Sequence, residues 1–242
     1  MTKTQSHYNS KDVLSALKKL ATPQRAKTNQ WFFKTKPGEY GYGDTFWGLS
    51  VPQTRKVAKQ FQHFALAEVA KLLCHHIHEV RSCVLEIMVM QMKQNPDAVY
   101  DLYLTNMKFV NNWDLVDASA SAIVGEYLYT HPKERKLLDR LVISKNLWER
   151  RIAIVATYAF IRKDEYELTF KIAEKLLGDT EDLLHKATGW MLREVGKRGG
   201  EKLLEGFLQK HAAVMPRTML RYAIERLPET KRKQWLAVKK TV

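Results

Sequence analysis

Two stretches of this chain combine residue types that can do chemistry. In Asn111-Asn-Trp-Asp-Leu-Val-Asp117, Asn111 or Asn112 is a plausible helix N-cap, and Trp113 and Asp117, four residues apart, fall on the same side of the helix that follows. Asp114, about 100° away from Trp113, is accounted for as a first-turn acid favoured by the helix dipole. Asp117 has no such account. It lies beyond the first turn beside Trp113 and Val124, and the small residues Ala118-Ser-Ala-Ser-Ala122 leave room for something bulky to approach it. A carboxylate so placed can stabilise positive charge developing on a substrate and position a water; the structural alternative is a hydrogen bond accepted from a neighbouring repeat. The second stretch is Leu184 to Lys197, in which Leu184, Thr188, Met191, Leu192 and Val195 form the apolar stripe expected to face the core. Trp190 falls outside that stripe, among Lys186, Arg193 and Lys197. It reads either as core filler or as a ring displayed between cations that grip phosphates.

The elements that position these residues read as helices throughout. Helices are expected at roughly 10–21, 52–62, 66–76, 79–94, 96–106, 112–129, 132–143, 147–162, 164–177, 181–197, 200–211 and 216–227, with ends uncertain by about 2–4 residues, and no segment reads as a strand. Arg81, Asp117, Arg151, Lys186 and Arg221 recur at intervals of 36, 34, 35 and 35 residues. That period is the mark of stacked helical hairpins. Equivalent positions of such a stack share one face, so these rungs predict a basic strip with a single carboxylate within it, a surface suited to a polyanion. Arg150, about 100° from Arg151, is expected in an ion pair between repeats. The stretch from Lys34 to Gly48, rich in glycine and aromatics, reads as an ordered loop; it connects the first helices, or it brings Tyr40 or Tyr42 to a nucleic acid.

Composition sets the class. Forty Lys and Arg against 26 Asp and Glu give a formal net charge of +14 and a pI near 9.7, which suits a nucleic acid or an anionic surface. Two cysteines, Cys74 and Cys83, are too few for a disulfide framework, and neither a signal peptide nor a membrane-spanning run is apparent. A cytoplasmic protein with no membrane association, forming one continuous repeat domain over 1–242, is therefore expected. Cys74-His-His-Ile-His78 looks metal-like, but it lacks a second ligand pair at a zinc spacing. It is read as imidazoles near a helix end, with no metal. P-loop, Rossmann and nucleophile-elbow signatures are missing, so no cofactor is expected.

The phrases Phe32-Phe-Lys-Thr with Gly38-Glu-Tyr-Gly41, Gly48-Leu-Ser-Val-Pro52 with Arg55, Asn112-Trp-Asp-Leu-Val-Asp117, Trp148-Glu-Arg-Arg151 and Gly189-Trp-Met-Leu-Arg193 resemble, in that order, the AlkD-type DNA alkylation repair family. The resemblance runs from about residue 25 to beyond 200. It implies an all-α, HEAT-like helical-repeat solenoid with a concave basic groove. It also implies a monomeric DNA glycosylase acting on N3- and N7-alkylated purines in double-stranded DNA. Asp117 would match the family's catalytic carboxylate, Trp113 and Trp190 its active-site tryptophans, and Arg151 and Arg193 its DNA-contacting arginines. Lys186, Lys197 and Arg81 join the DNA-binding set through the basic face and the repeat register. Many relatives carry a further aromatic where this chain has Asn112, which bears on lesion preference. Two readings compete: a DNA-structure binder without the reaction, and a protein-binding helical scaffold, which would place apolar anchors where Arg151, Lys186, Arg193 and Lys197 stand.

Overall fold

The computed structural model describes residues 8–239, which fall into two compact units divided between Ser119 and Ala120. Among the described residues the fold is all helical; the sole β feature is an isolated parallel bridge between Thr45 and Ile77.

The first unit contains α1 (Ser10–Lys18), α2 (Pro23–Phe32), α3 (Val51–Gln60), α4 (Leu66–Leu73), α5 (His78–Gln91), α6 (Pro96–Thr105) and α7 (Trp113–Ser119). Local signals start several of these. At α1, Asn9 accepts the Lys11 N–H while Asp12 reaches back to the Asn9 N–H, a reciprocal cap. At α3, Gln53 accepts from the Ser50 N–H at 2.8 Å, and Pro52 sits in the first turn, where its missing N–H costs nothing. Helix α5 is the centre of the unit, packed against α3, α4 and α7. Its apolar residues Val80, Val84, Leu85, Ile87 and Met88 are essentially inaccessible.

Helix α2 was not foreseen, for a physical reason: none of its residues is buried, so it has no apolar stripe to reveal it. It is held by polar and backbone contacts instead. Gly48, at φ +86°, lets its backbone approach α2 so closely that a Cβ there would stand 2.1 Å from the Thr22 carbonyl oxygen and 2.4 Å from the Ala26 nitrogen. The Glu79 carboxylate, buried at the start of α5, accepts the N–H groups of Trp47 (3.0 Å), Gly48 (2.8 Å) and Leu49 (3.1 Å) and the Asn29 side-chain amide (3.1 Å). A buried carboxylate is tolerable only with such a set of donors. One acid thereby anchors the end of the 34–48 loop and fastens α2 to α5.

The second unit opens with a π turn, Ser121–Gly125, followed by α8 (Glu126–Thr130), α9 (Lys136–Leu141), α10 (Leu147–Ala156), α11 (Tyr158–Ile161), α12 (Glu167–Lys175), α13 (Asp182–Gly199), α14 (Glu201–His211), α15 (Arg217–Ala223) and α16 (Glu229–Ala237). Helices α10, α13 and α15 pack on one another in sequence, with α9 packed on α10 and both α12 and α14 packed on α13. The α13–α15 contact is close because Gly189 lacks a side chain: a Cβ there would meet the Met219 carbonyl oxygen at 2.4 Å. The apolar stripe expected for α13 is the observed one, since Leu184, Thr188, Met191, Leu192 and Val195 are all buried. Arg150 makes the expected inter-repeat ion pair, with Nε 2.7 Å from Asp179 Oδ2. The repeat period is real in both units: Arg81 and Asp117 lie on the packed pair α5 and α7, while Arg151, Lys186 and Arg221 lie on α10, α13 and α15.

Candidate functional site

In the first unit, Asn112 precedes α7, is fully buried, and accepts the Trp113 N–H through Oδ1 at 2.8 Å. This sets the start of the helix and therefore the side on which Trp113 and Asp117 stand together, as their spacing predicts. Both line a cleft of about 610 Å³ whose wall includes Phe33, His78, Asp114 and Arg55. The Trp113 ring stacks on Phe33 at 5.6 Å and 26°, meets Phe32 edge-on at 5.9 Å, and directs its indole N–H to the Tyr40 hydroxyl at 3.3 Å. Phe33 in turn stacks on Phe46 at 5.2 Å and 13°. The ordered loop expected at 34–48 thus supports Trp113, and the hydroxyl of Tyr40 is occupied with that support.

Behind this wall lies a polar network that only part of the sequence reasoning reached. His78 is buried between two carboxylates: Nδ1 donates to Asp44 Oδ2 at 2.9 Å and Nε2 to Asp114 Oδ2 at 2.8 Å. Burial alone would pull the imidazolium down. The facing carboxylates, Asp114 foremost and then Asp44, outweigh burial and push His78 up to about 9. Asp44 is also bound by Arg81 Nη2 at 2.6 Å and Asn112 Nδ2 at 3.2 Å. Burial would raise its carboxyl, but His78 and Arg81 hold it below the ordinary range.

Several expectations change here. Arg81, expected as a displayed rung of a basic strip, is buried. Its guanidinium binds Asp44, the carbonyl oxygen of His75 at 2.8 Å and Asn111 Oδ1 at 3.2 Å. Asp114 is more than a dipole acid, because it is the outer partner of His78. His78 is no surface imidazole of a His cluster. Of its neighbours, His75 accepts the Ile77 N–H at 3.1 Å and the Cys74 thiol donates to the Lys71 carbonyl at 3.3 Å. Among the described residues no group of His, Cys, Asp and Glu is arranged to hold a metal ion.

In the second unit, Trp190 stays out of the core: it is half-buried, 6.1 Å from the Tyr158 ring. The basic residues around it differ in availability. Lys197 is well exposed, 3.8 Å from Glu194, and Lys186 lies 2.7 Å from Asp182 on the preceding turn. Arg193 is paired with Glu225 and approaches Glu194 at 3.4 Å. Arg151, expected to be displayed like these, is buried and donates from Nη1 to the Leu183 carbonyl at 2.6 Å. Register along a repeat identifies a helix face but not its depth, and both arginines lie at the deep edge of theirs. No described helix is long and apolar enough to cross a membrane.

Stacked helical hairpins, an acid and a tryptophan on one cleft wall, and a strongly basic composition define an all-helical repeat protein equipped to meet a polyanion. A family model described as DNA alkylation repair enzyme matches residues 13–227, and the chain belongs to that family. It is similar in structure to a predicted DNA alkylation repair enzyme from Enterococcus faecalis, at 18% identity over 86% of this chain and 97% of that one, with a TM-score of 0.69. It is also similar to AlkD2 from Streptococcus mutans, at 15% identity over 90% and 99% of the two chains, with a TM-score of 0.53. At these identities the likeness is one of fold. None of the curated proteins matches the chain.

Proposed function

We propose that this protein is a DNA glycosylase that hydrolyses the N-glycosidic bond of cationic N3- and N7-alkylpurines in duplex DNA. The observation that carries this reading is the pairing of Asp117 and Trp113 on one face of α7, facing an aromatic-walled cleft. Alkylation at N3 or N7 makes the purine a cation and a good leaving group, so little acid catalysis is needed. What remains is to stabilise the cationic character that develops on the deoxyribose and to position a water for attack, and Asp117 serves both ends. Trp113 offers a π face to the sugar or lesion, a contact of about 0.5–2 kcal/mol. In the second unit, Trp190 presents a ring of its own from α13. Lys186, Arg193 and Lys197 hold phosphates nearby on the same helix, giving affinity without sequence preference. Arg81 and Arg151 act from within the fold, as anchors of α5 and α10. Family membership supports a repair enzyme acting on alkylated DNA.

Incubating the purified protein with methylated duplex and separating the released bases by chromatography tests the reading. N3-methyladenine and N7-methylguanine are expected products. A uracil-containing duplex should yield nothing, because a neutral base needs an acid or electrophile at its leaving group; efficient uracil release would overturn the mechanism.

A further inference from the structure

The Asp44–His78–Asp114 chain lies beneath the candidate site, and the catalytic reading gives it no part. His78 and Asp114 line the same cleft as Trp113 and Asp117. From the buried start of α5, contacts run to every element that carries those two side chains. His78 Nε2 donates at 2.8 Å to Asp114, which stands in the first turn of α7 three residues before Asp117. Asp44, held by His78 Nδ1 at 2.9 Å, accepts at 3.2 Å from the side-chain amide of Asn112, the residue from which α7 starts. The imidazole also lies against the rings of Phe33 and Phe46, each 4.8 Å away, and Phe33 is the ring on which Trp113 stacks. A protonated imidazole is drawn to such ring faces.

We propose that His78 is a positioning residue for base release: as an imidazolium it fixes the first turn of α7 through Asp114 and the Trp113 ring through Phe33, and it cancels the Asp114 charge beside Asp117. The proposal rests on the glycosylase reading for the reaction that it serves. A ring and a carboxylate can act on one sugar only if both are held close to the productive geometry, and the seven residues of α7 are too few to hold themselves. Charge matters as well. Unpaired, Asp114 would be a second anion on the cleft wall and would compete with Asp117 for a cationic lesion; paired with His78, it does not. The charged groups that face His78 are Asp114 from α7 and Asp44 from the loop, with Arg81 of α5 behind Asp44. Arg25 of α2, Arg55 of α3, Glu79 and Glu86 of α5 and Asp117 of α7 line the same cleft, and among the described residues α4 and α6 put no charge into it.

The test is single-turnover release of N7-methylguanine by wild type and His78→Gln from about pH 6 to about 9.5, on protein shown to be folded by circular dichroism. The ratio of the two rates at each pH is the quantity read, so that titration of the base itself cancels. Wild type should be faster by about ten- to a hundredfold near neutral pH, the cost of a small misplacement. That advantage should vanish as pH rises through about 9, where the wild-type ring gives up its proton. Affinity for undamaged duplex should be equal in both, because His78 is buried. Asp114→Asn keeps an oxygen for Nε2 but removes the charge, so its alkaline decline should fall at a pH lower by about one unit or more. Equal rates, a ratio that does not change with pH, or a loss confined to duplex affinity would overturn the proposal and leave the glycosylase reading intact. If His78→Gln does not fold, Asp114→Asn decides: a decline at the wild-type pH would equally overturn it. A wild type that releases no base at any pH would overturn both.

Discussion

Replacing His78 by Gln should remove a pH-linked contribution to the stability of this protein. The imidazolium donates to Asp44 at 2.9 Å and to Asp114 at 2.8 Å. Asp44 keeps Arg81 and Asn112 when His78 is lost, but the Oδ1 of Asp114 is buried without a hydrogen-bond partner, so that carboxylate depends on His78. Breaking a buried pair from one side costs about 3–5 kcal/mol, and the lower end applies because Gln retains one donor. The pH dependence follows from the raised folded-state value. With His78 near 9 in the folded chain against 6.5 in the unfolded one, protonation stabilises the fold by about 3 kcal/mol. That contribution is fully present below pH 6.5 and is lost as pH rises through about 9. Asp44 works in the opposite sense: its lowered carboxyl stabilises the fold above the ordinary carboxylate range and loses that effect in acid. Urea denaturation at intervals from pH 6 to about 9.5 should show wild-type stability declining across the window and the His78→Gln protein starting lower with a nearly flat profile. The same alkaline decline in both proteins would refute the claim that His78 carries a proton between the two acids.

Gly48→Ala should cost at least about 1–2 kcal/mol from its left-handed backbone alone, and more from the clash with Thr22; a melting temperature equal to wild type would show that α2 need not sit so close. Trp190→Ala should destabilise the fold by less than the roughly 3–5 kcal/mol of a fully buried tryptophan while markedly slowing base release, and proportional losses of both would make Trp190 a packing residue. Lys197→Ala should flatten the salt dependence of duplex binding by about one unit, whereas an unchanged slope would place the phosphates elsewhere.

Much of the architecture was legible in the sequence because periodicity is a direct imprint of burial. The α13 stripe, the Arg150–Asp179 pair and the hairpin period all follow from residues that face a core at helical spacing. Helix α2 left no such imprint, because it buries nothing and is held by a glycine, an amide and the Glu79 carboxylate. The Asp44–His78–Asp114 chain was hidden for another reason: its members stand 34 and 36 residues apart, and while His78 and Asp114 each had a sufficient local explanation, as a His-cluster member and a helix-dipole acid, nothing local singled out Asp44 within its loop. Arg81 and Arg151 show the limit of register arguments, which assign a face without saying how far the neighbouring elements close over it.

The central claim, that Asp117 stabilises the transition state of glycosidic bond cleavage, is tested most directly by single-turnover release of N7-methylguanine from duplex DNA by Asp117→Asn, with circular dichroism and duplex affinity measured on the same preparation. The substitution removes charge and preserves shape. The expected result is near-complete loss of base release, at least about a hundredfold as for removal of one electrostatic stabiliser, with helical content and most DNA affinity retained. Release at the wild-type rate, or loss of activity only in parallel with loss of helix, would contradict it.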